Sequence, residues 1–257
     1  MKKYLTAKII SNDNICENIF EMVIAVPEIA SEAKAGQFVN VYTGSKAHIL
    51  ARPISISEID RVKGTLTLVY QVVGKGTEIF SALKADESID IIGPLGNGFD
   101  LPKDEKSHIL VGGGIGVPPL VQLAKELKGE ITVFIGAKAN PILIEKFEAL
   151  GAKVHVATND GSVGFKGNVV ALMDKLKPNG NTMYSCGPKI MLKNLSKWAL
   201  ENGIDPQVSM EERMACGIGA CVGCVVKIKK NGCDDWAHLK VCKDGPVFLG
   251  SEVAWDE

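Results

Sequence analysis

The sequence predicts a multidomain α/β plus β chain with an antiparallel β-barrel over residues 1–102, a parallel α/β unit over 103–210 and a small unit over 211–257. Three observations carry this. The first hundred residues hold about six short apolar or alternating runs, separated by turn residues and without a 3.6-residue period. From residue 103 the rhythm becomes strand, helix, strand, helix. Five of the seven cysteines then fall between Cys216 and Cys242. At 257 residues, two or three compact units are the natural expectation.

The barrel runs are "AKIISN", "FEMVIAV", "QFVNVY", "PISISEI", "TLTLVYQVV" and "ESIDIIG". After "GPLGNGFDLPKDEK", the run "HILVGG" reads as a buried strand, and "VPPLVQLAKELKG" places Leu120, Leu123, Ala124 and Leu127 on one helical face. Strands "ITVFIG", "KVHVAT", "TMYSC" and "PQVSM" follow, alternating with helices in "PILIEKFEALG", "NVVALMDKLK" and "PKIMLKNLSKWALENG". Five strands separated by helices imply a parallel sheet covered on both faces. The last 47 residues are Gly- and Cys-rich and too short for a large core, so a bound metal is expected to help hold them.

Composition excludes several functions. A formal net charge of -1 offers no footprint for nucleic acid or an anionic membrane. No stretch approaches a membrane-spanning length, and Asn12, Asp13 and Asn14 interrupt any signal-like apolar region, so a cytoplasmic protein is expected. In that compartment seven cysteines do not suggest a disulfide framework.

Five stretches carry chemistry. "VGGGIGVPPL" lies between the first parallel strand and its helix, where glycines let backbone N–H groups approach a pyrophosphate. Its spacing departs from G-x-G-x-x-G, because Val117 stands at the third glycine position, so a simple tight turn is the competing reading. No acidic residue ends the next strand at Gly136–Lys138, which leaves NAD against NADP open. "SCGPKIM" ends the fourth parallel strand, where Cys186 either faces a ligand or simply packs. "ARPISIS" and "VVGKGTEIFS" offer Arg52 and the Gly-rich turn before Thr77 as phosphate contacts, or else a solvated Arg and an ordinary cap.

The fifth stretch, the cysteine loop, is the most specific. Cys216-x4-Cys221-x2-Cys224 with a further Cys downstream is the plant-type spacing for a 2Fe-2S cluster, and Gly217, Gly219 and Gly223 let the loop curl round it. Either Cys233 or Cys242 supplies the fourth thiolate. A structural zinc site is the alternative, although such sites usually pair short knuckles. A chain holding both a nicotinamide, which moves hydride, and a cluster, which moves single electrons, needs an intermediary, and a flavin is that intermediary.

Taken together, "RPISIS", "GGGIGVPPL", "CGPKIM", "MEERMACGIGACVGC" and "VCKDGPVF" resemble the ferredoxin reductase superfamily, and within it the electron-transfer subunits of NAD-dependent (class 1B) dihydroorotate dehydrogenase. The resemblance spans all 257 residues. It implies an FAD site at Arg52, Pro53, Ile54 and Ser55, at Val69, Tyr70 and Gln71, and at Gly76 and Thr77. It implies NAD at Gly112, Gly113, Gly114 and Gly116 with Cys186, Gly187 and Pro188, and cluster ligands at Cys216, Cys221, Cys224 and Cys242, with Cys233 a bystander. An FMN-bearing catalytic subunit, in a heterotetramer of two of each chain, is the implied partner in pyrimidine biosynthesis. That partner would oxidise dihydroorotate. His48, His108, His155 and His238 are scattered and read as ordinary residues, as do Asp160 and the linker residues Glu211, Glu212 and Arg213. The close alternative is an NAD(P)H reductase subunit serving ferredoxin or a sulfhydrogenase.

Overall fold

A computed structural model describes residues 2–104, 106–229 and 235–255. Six strands, β1 (Lys3–Cys16), β2 (Ile19–Ala25), β3 (Phe38–Val41), β4 (Arg52–Asp60), β5 (Thr65–Gln71) and β6 (Ser88–Leu95), close into an antiparallel barrel in the order β1-β2-β5-β4-β3-β6. Period-two patterning builds its interior: Ile89, Ile91 and Leu95 of β6 are buried, alternating with the more exposed Ser88, Asp90 and Ile92. Ile9, Met22, Ile24, Val39, Ile56, Leu66 and Leu68 complete the packing. Helix α1 (Pro27–Ala30) adds Ile29 and Ala30, and helix α2 (Lys75–Ala82) adds Phe80.

The next unit runs β7 (Lys106–Gly113), a 3-10 turn at Gly114–Gly116, α3 (Pro119–Glu126), β8 (Gly129–Ala137), α4 (Ile144–Ala149), β9 (Lys153–Thr158), β10 (Phe165–Lys166), α5 (Val169–Leu176), β11 (Thr182–Cys186), α6 (Lys189–Glu201) and β12 (Gln207–Ser209). The final segment supplies β13 (Val225–Lys229), β14 (Trp236–Lys240) and β15 (Val247–Leu249). The sheet order is β10-β9-β8-β7-β11-β12-β15, parallel throughout except for β15. One face packs Val133 and Ile135 against Leu120, Val121, Leu123 and Phe147; the other packs Phe134 and Ile109 against Leu172, Met173, Leu195 and Trp198.

Two edge strands exceed the five expected. β10 is two residues long, too short for any periodic pattern, and forms where the Thr158 hydroxyl donates to Val163 O at 2.8 Å and folds the turn back. β15 belongs in sequence to the final segment but pairs with β12. Nor do the last residues rely on metal alone for a core. Val226, Ile228, Val241 and Phe248 pack with Phe38 and Leu95 of the barrel and Leu192 and Val208 of the α/β unit. Among the described residues, no helix is long and apolar enough to cross a membrane.

A polar seam joins barrel and sheet along the second half of β4. A bulge between Ile56 and Glu58 breaks the register with β5 and re-aims these side chains towards α3. The Ser57 hydroxyl donates to Pro118 O at 3.1 Å, Ile59 N–H donates to Gln122 Oε1 at 2.7 Å, and Arg61 pairs with Glu126 at 3.2 Å. Glu58 is bonded by both Lys125 and Lys146, and Lys146 also reaches Glu21 at 2.6 Å. Partial burial works against the Glu58 carboxylate, yet the two lysines hold its pKa below the ordinary 4.5. Lys146 is likewise desolvated, but Glu21 and Glu58 hold it above 10.5.

Glu58→Gln is expected to cost about 1–2 kcal/mol at neutral pH, between the values typical of exposed and buried ion pairs, read from urea unfolding. The depressed Glu58 value makes its contribution full above 4.5 and lost as pH falls through the folded value; the raised Lys146 value makes its contribution full below 10.5 and lost as pH rises through its own. Wild type and variant should therefore converge in acid.

Candidate functional site

The residues that resemble a flavin site converge at one end of the barrel. Arg52 to Ser55 open β4 and lie opposite Val41, Asn40, Val39 and Phe38 of β3. The Arg52 guanidinium donates to Leu50 O and lies across Gly76, where a Cβ would stand 2.3 Å from Arg52 Nε. A larger residue at 76 would have to push the guanidinium aside. Thr77 ties down the start of α2: its hydroxyl accepts from Val73 N at 2.9 Å and Gly74 N at 3.2 Å and donates to Gly74 O at 2.9 Å. The first-turn N–H groups of α2 have no partner within the helix, and with the guanidinium beside them they form a donor set that fits a pyrophosphate.

On β5 the three residues part ways. Val69 packs into the interdomain core with Val117 and Leu120, and Gln71 is exposed. Tyr70 turns into the barrel, stacked on Phe20 at 5.8 Å, its hydroxyl donating to Asn12 at 3.0 Å; burial pushes that hydroxyl up to about 12. Sequence reasoning overlooked Ile49, Leu50 and Val73, exposed apolar side chains on the segments that lead into Arg52 and α2. Their signal was an apolar residue standing inside a turn.

The glycine turn and the SCGP turn meet at the carboxyl ends of adjacent strands, since β7 and β11 pair Gly112 with Cys186. A Cβ on Gly116 would stand 2.4 Å from Cys186 O, and one on Gly113 would stand 2.5 Å from Met191 Sδ, so bare backbone is what lets these turns touch. Gly114, at φ +54, leaves open space on its side-chain face. Pro118 and Pro119 carry no N–H at the start of α3, so an anion here has the glycine backbone for donors rather than the helix terminus. Burial pushes the Cys186 thiol up to about 12, which keeps it neutral beside the Ser209 hydroxyl and Glu211.

In the cysteine loop, Gly217 and Gly219 adopt φ +62 and +91, left-handed conformations that favour glycine. The curl turns Cys221 N–H onto Cys216 Sγ at 3.3 Å and Gly223 N–H onto Cys221 Sγ at 3.5 Å. Burial opposes ionisation of Cys216, but the N–H groups of Cys221, Ile218 and Ala220 and the Cys221 thiol bring it down to about 6. Cys224 and Cys242 form a second, buried pair, placed side by side by the pairing of Val225 with Lys240 and the 2.9 Å bond from Val241 N to Cys224 O. Burial and then the neighbouring Cys224 thiol push Cys242 up to about 12, so a metal must displace its proton. Cys233 lies outside the described residues.

Among the described residues, no group of three or more His, Cys, Asp or Glu side chains is placed to hold a single metal ion. Two pairs of thiols suit a two-iron cluster, which takes two thiolates per iron. The loop is fastened to the barrel by Asn40, whose Nδ2 donates to Cys216 O at 3.0 Å, and to β14 by Lys240, whose ammonium donates to Gly219 O at 2.8 Å. His108 is buried between the Thr182 hydroxyl at 2.7 Å and Lys128 O at 2.9 Å.

Comparison with known proteins matches residues 6–99 to the oxidoreductase FAD-binding domain and residues 211–254 to the iron-sulfur cluster binding domain of dihydroorotate dehydrogenase B. The chain is 42% identical over its whole length to the dihydroorotate dehydrogenase B (NAD(+)) electron transfer subunit of Desulforamulus reducens, all of which is covered. It is 45% identical to that of Streptococcus thermophilus, with 95% of this chain and 96% of the relative covered. Among solved structures, a chain of the NADH-dependent reduced ferredoxin-NADP oxidoreductase superposes with a TM-score of 0.86 at 32% identity, over 97% of this chain and 90% of that one. The Neisseria gonorrhoeae ferredoxin NADP+ reductase, at 15% identity and a TM-score of 0.64 over 81% of this chain and 99% of that one, shares the fold.

Two substitutions and one control test the cradles. Arg52→Ala removes a charge-assisted contact worth about 2 kcal/mol and should weaken FAD retention on dilution; unchanged flavin content would contradict the cradle. Cys242→Ser should abolish the cluster absorbance while Cys186→Ser preserves it, and an intact cluster in Cys242→Ser would exclude that thiol as a ligand.

Proposed function

Because the chain belongs to the family of dihydroorotate dehydrogenase B electron-transfer subunits, we propose that it carries electrons from a dihydroorotate-oxidising partner to NAD through a 2Fe-2S cluster and FAD of its own. The observation that carries this reading is the gathering of four thiols in two pairs, three on a loop bonded to the barrel strand that neighbours Arg52 to Ser55 and the fourth, Cys242, brought beside Cys224 by the pairing of β13 with β14. When bound, a flavin joins two-electron hydride chemistry to one-electron cluster chemistry. The chain's part is to hold and orient.

In this reading Arg52, Gly76 and Thr77 hold the FAD pyrophosphate, while Pro53, Ile54 and Ser55 line the flavin together with Val69, Gln71 and the backbone of Tyr70. Gly112, Gly113, Gly114 and Gly116, with Cys186, Gly187 and Pro188, receive NAD at the sheet's carboxyl edge. Cys216, Cys221, Cys224 and Cys242 ligate the iron. The partner is an FMN-bearing subunit, two copies of each chain form the complex, and the complex works in the cytoplasm. Ile218 and Val222 are exposed apolar side chains on the cysteine loop, suited to contact with a second chain. A reductase serving ferredoxin or a sulfhydrogenase is less well supported, because full-length relatives at 40–45% identity carry the dihydroorotate dehydrogenase name.

The test is dihydroorotate-dependent NADH formation by this chain mixed with the FMN-bearing subunit of the same organism. NADH should appear only when both chains are present. If the pair is inactive while NADH alone still bleaches the chain's flavin, the assigned partner is wrong.

A further inference from the structure

We propose that Asn40 is the positioning residue that seats the cysteine loop against β3, the strand beside Arg52 to Ser55, and thereby sets electron exchange between the two cofactors. This inference rests on the cofactor assignment above. Asn40 lies in β3 with 1% of its surface exposed, a burial that a primary amide tolerates only when hydrogen-bonded. Its Nδ2 donates to Cys216 O at 3.0 Å, joining residues 176 apart in sequence. In the barrel register Asn40 faces Pro53 on one side and Ile92 on the other. One short side chain therefore spans from the strand beside Arg52 to Ser55 to the backbone of the first cysteine.

The loop is shaped to receive it. A Cβ on Gly217 would stand 2.3 Å from Asn40 Nδ2 and 2.6 Å from Oδ1, and the residue's φ of +62 independently favours glycine. With the Cys216 carbonyl held, Cys221 N–H stays directed at Cys216 Sγ. Lys2 and Lys240 also reach the loop, at Ile218 O and Gly219 O, both at distances under 3 Å, but through long flexible stems. Asn40 is borne on a closed barrel and has little conformational freedom left to lose, so it fixes position where the lysines only tether.

The experiment uses the full chain with its flavin and cluster, as wild type, Asn40→Leu and Asn40→Ala, with Asn40→Ser replacing any variant that does not fold. FAD content and the urea midpoint report the barrel. Iron loss to a chelator should be roughly fivefold faster in the variants, the factor corresponding to a net hydrogen-bond contribution of about 1 kcal/mol. In anaerobic rapid mixing with NADH, flavin bleaching should keep its rate while the later cluster bleaching slows. Variants that match wild type in iron loss and in the cluster phase would overturn the inference. So would variants that lose FAD and cluster together, since that pattern marks a merely structural role. A wild-type chain lacking iron or flavin would refute the cofactor assignment itself, and that result would appear before any substitution is compared.

Discussion

Strand β4 is the constraint on which the other arrangements depend. Its first residues, Arg52 to Ser55, belong to the proposed flavin cradle, and its last, Ser57 to Arg61 beyond the strand, are bonded along α3. Helix α3 issues from the glycine turn proposed for NAD. The separation of the two cradles is thus set by one strand and one helix, rather than by a linker. Hydride transfer requires reacting atoms about 3–3.5 Å apart, and a hinge between the units would forfeit that proximity. Gln122 illustrates how the rigidity arises: almost wholly buried, it accepts from Ile59 N–H at 2.7 Å and donates to Glu126 at 2.8 Å, so a polar group inside the interface is satisfied on both sides.

The final segment extends this logic. Its residues share one apolar cluster with Phe38, Leu95, Leu192 and Val208, and β15 continues the sheet beyond β12. The unit is therefore built against the other two and is stabilised by their surfaces as well as by any metal. Electron transfer benefits from this, because a loop packed on the barrel holds a fixed distance to the proposed flavin cradle. Acidity differs between Cys216 and Cys242 for physical reasons already present in the chain: N–H groups converge on Cys216, whereas Cys242 is buried beside another thiol.

The barrel and the parallel sheet were legible in sequence because both write a period into their apolar residues. So was the cysteine loop, whose spacing carries geometry within a few residues. What escaped depends on partners distant in the chain. Asn40 in "QFVNVY" looks like any polar position of an alternating strand until its contact with Cys216 is seen. Tyr70 sits in a run where strand phase decides its direction, and it turns inward while Val69 and Gln71 do not. Spacing alone left Cys233 and Cys242 equal, and only the pairing of β13 with β14 brings Cys242 beside Cys224. The Ser57 bulge has no sequence mark at all.

On the proposed assignment, this one chain contains the whole junction between hydride and single electrons. Anaerobic titration of the isolated chain with NADH, followed by absorbance and electron paramagnetic resonance, tests it most directly. The flavin should bleach, and a reduced 2Fe-2S signal should then grow to one cluster per chain, without any partner present. A flavin that bleaches while no such signal appears, or a chain that yields no iron, would contradict it.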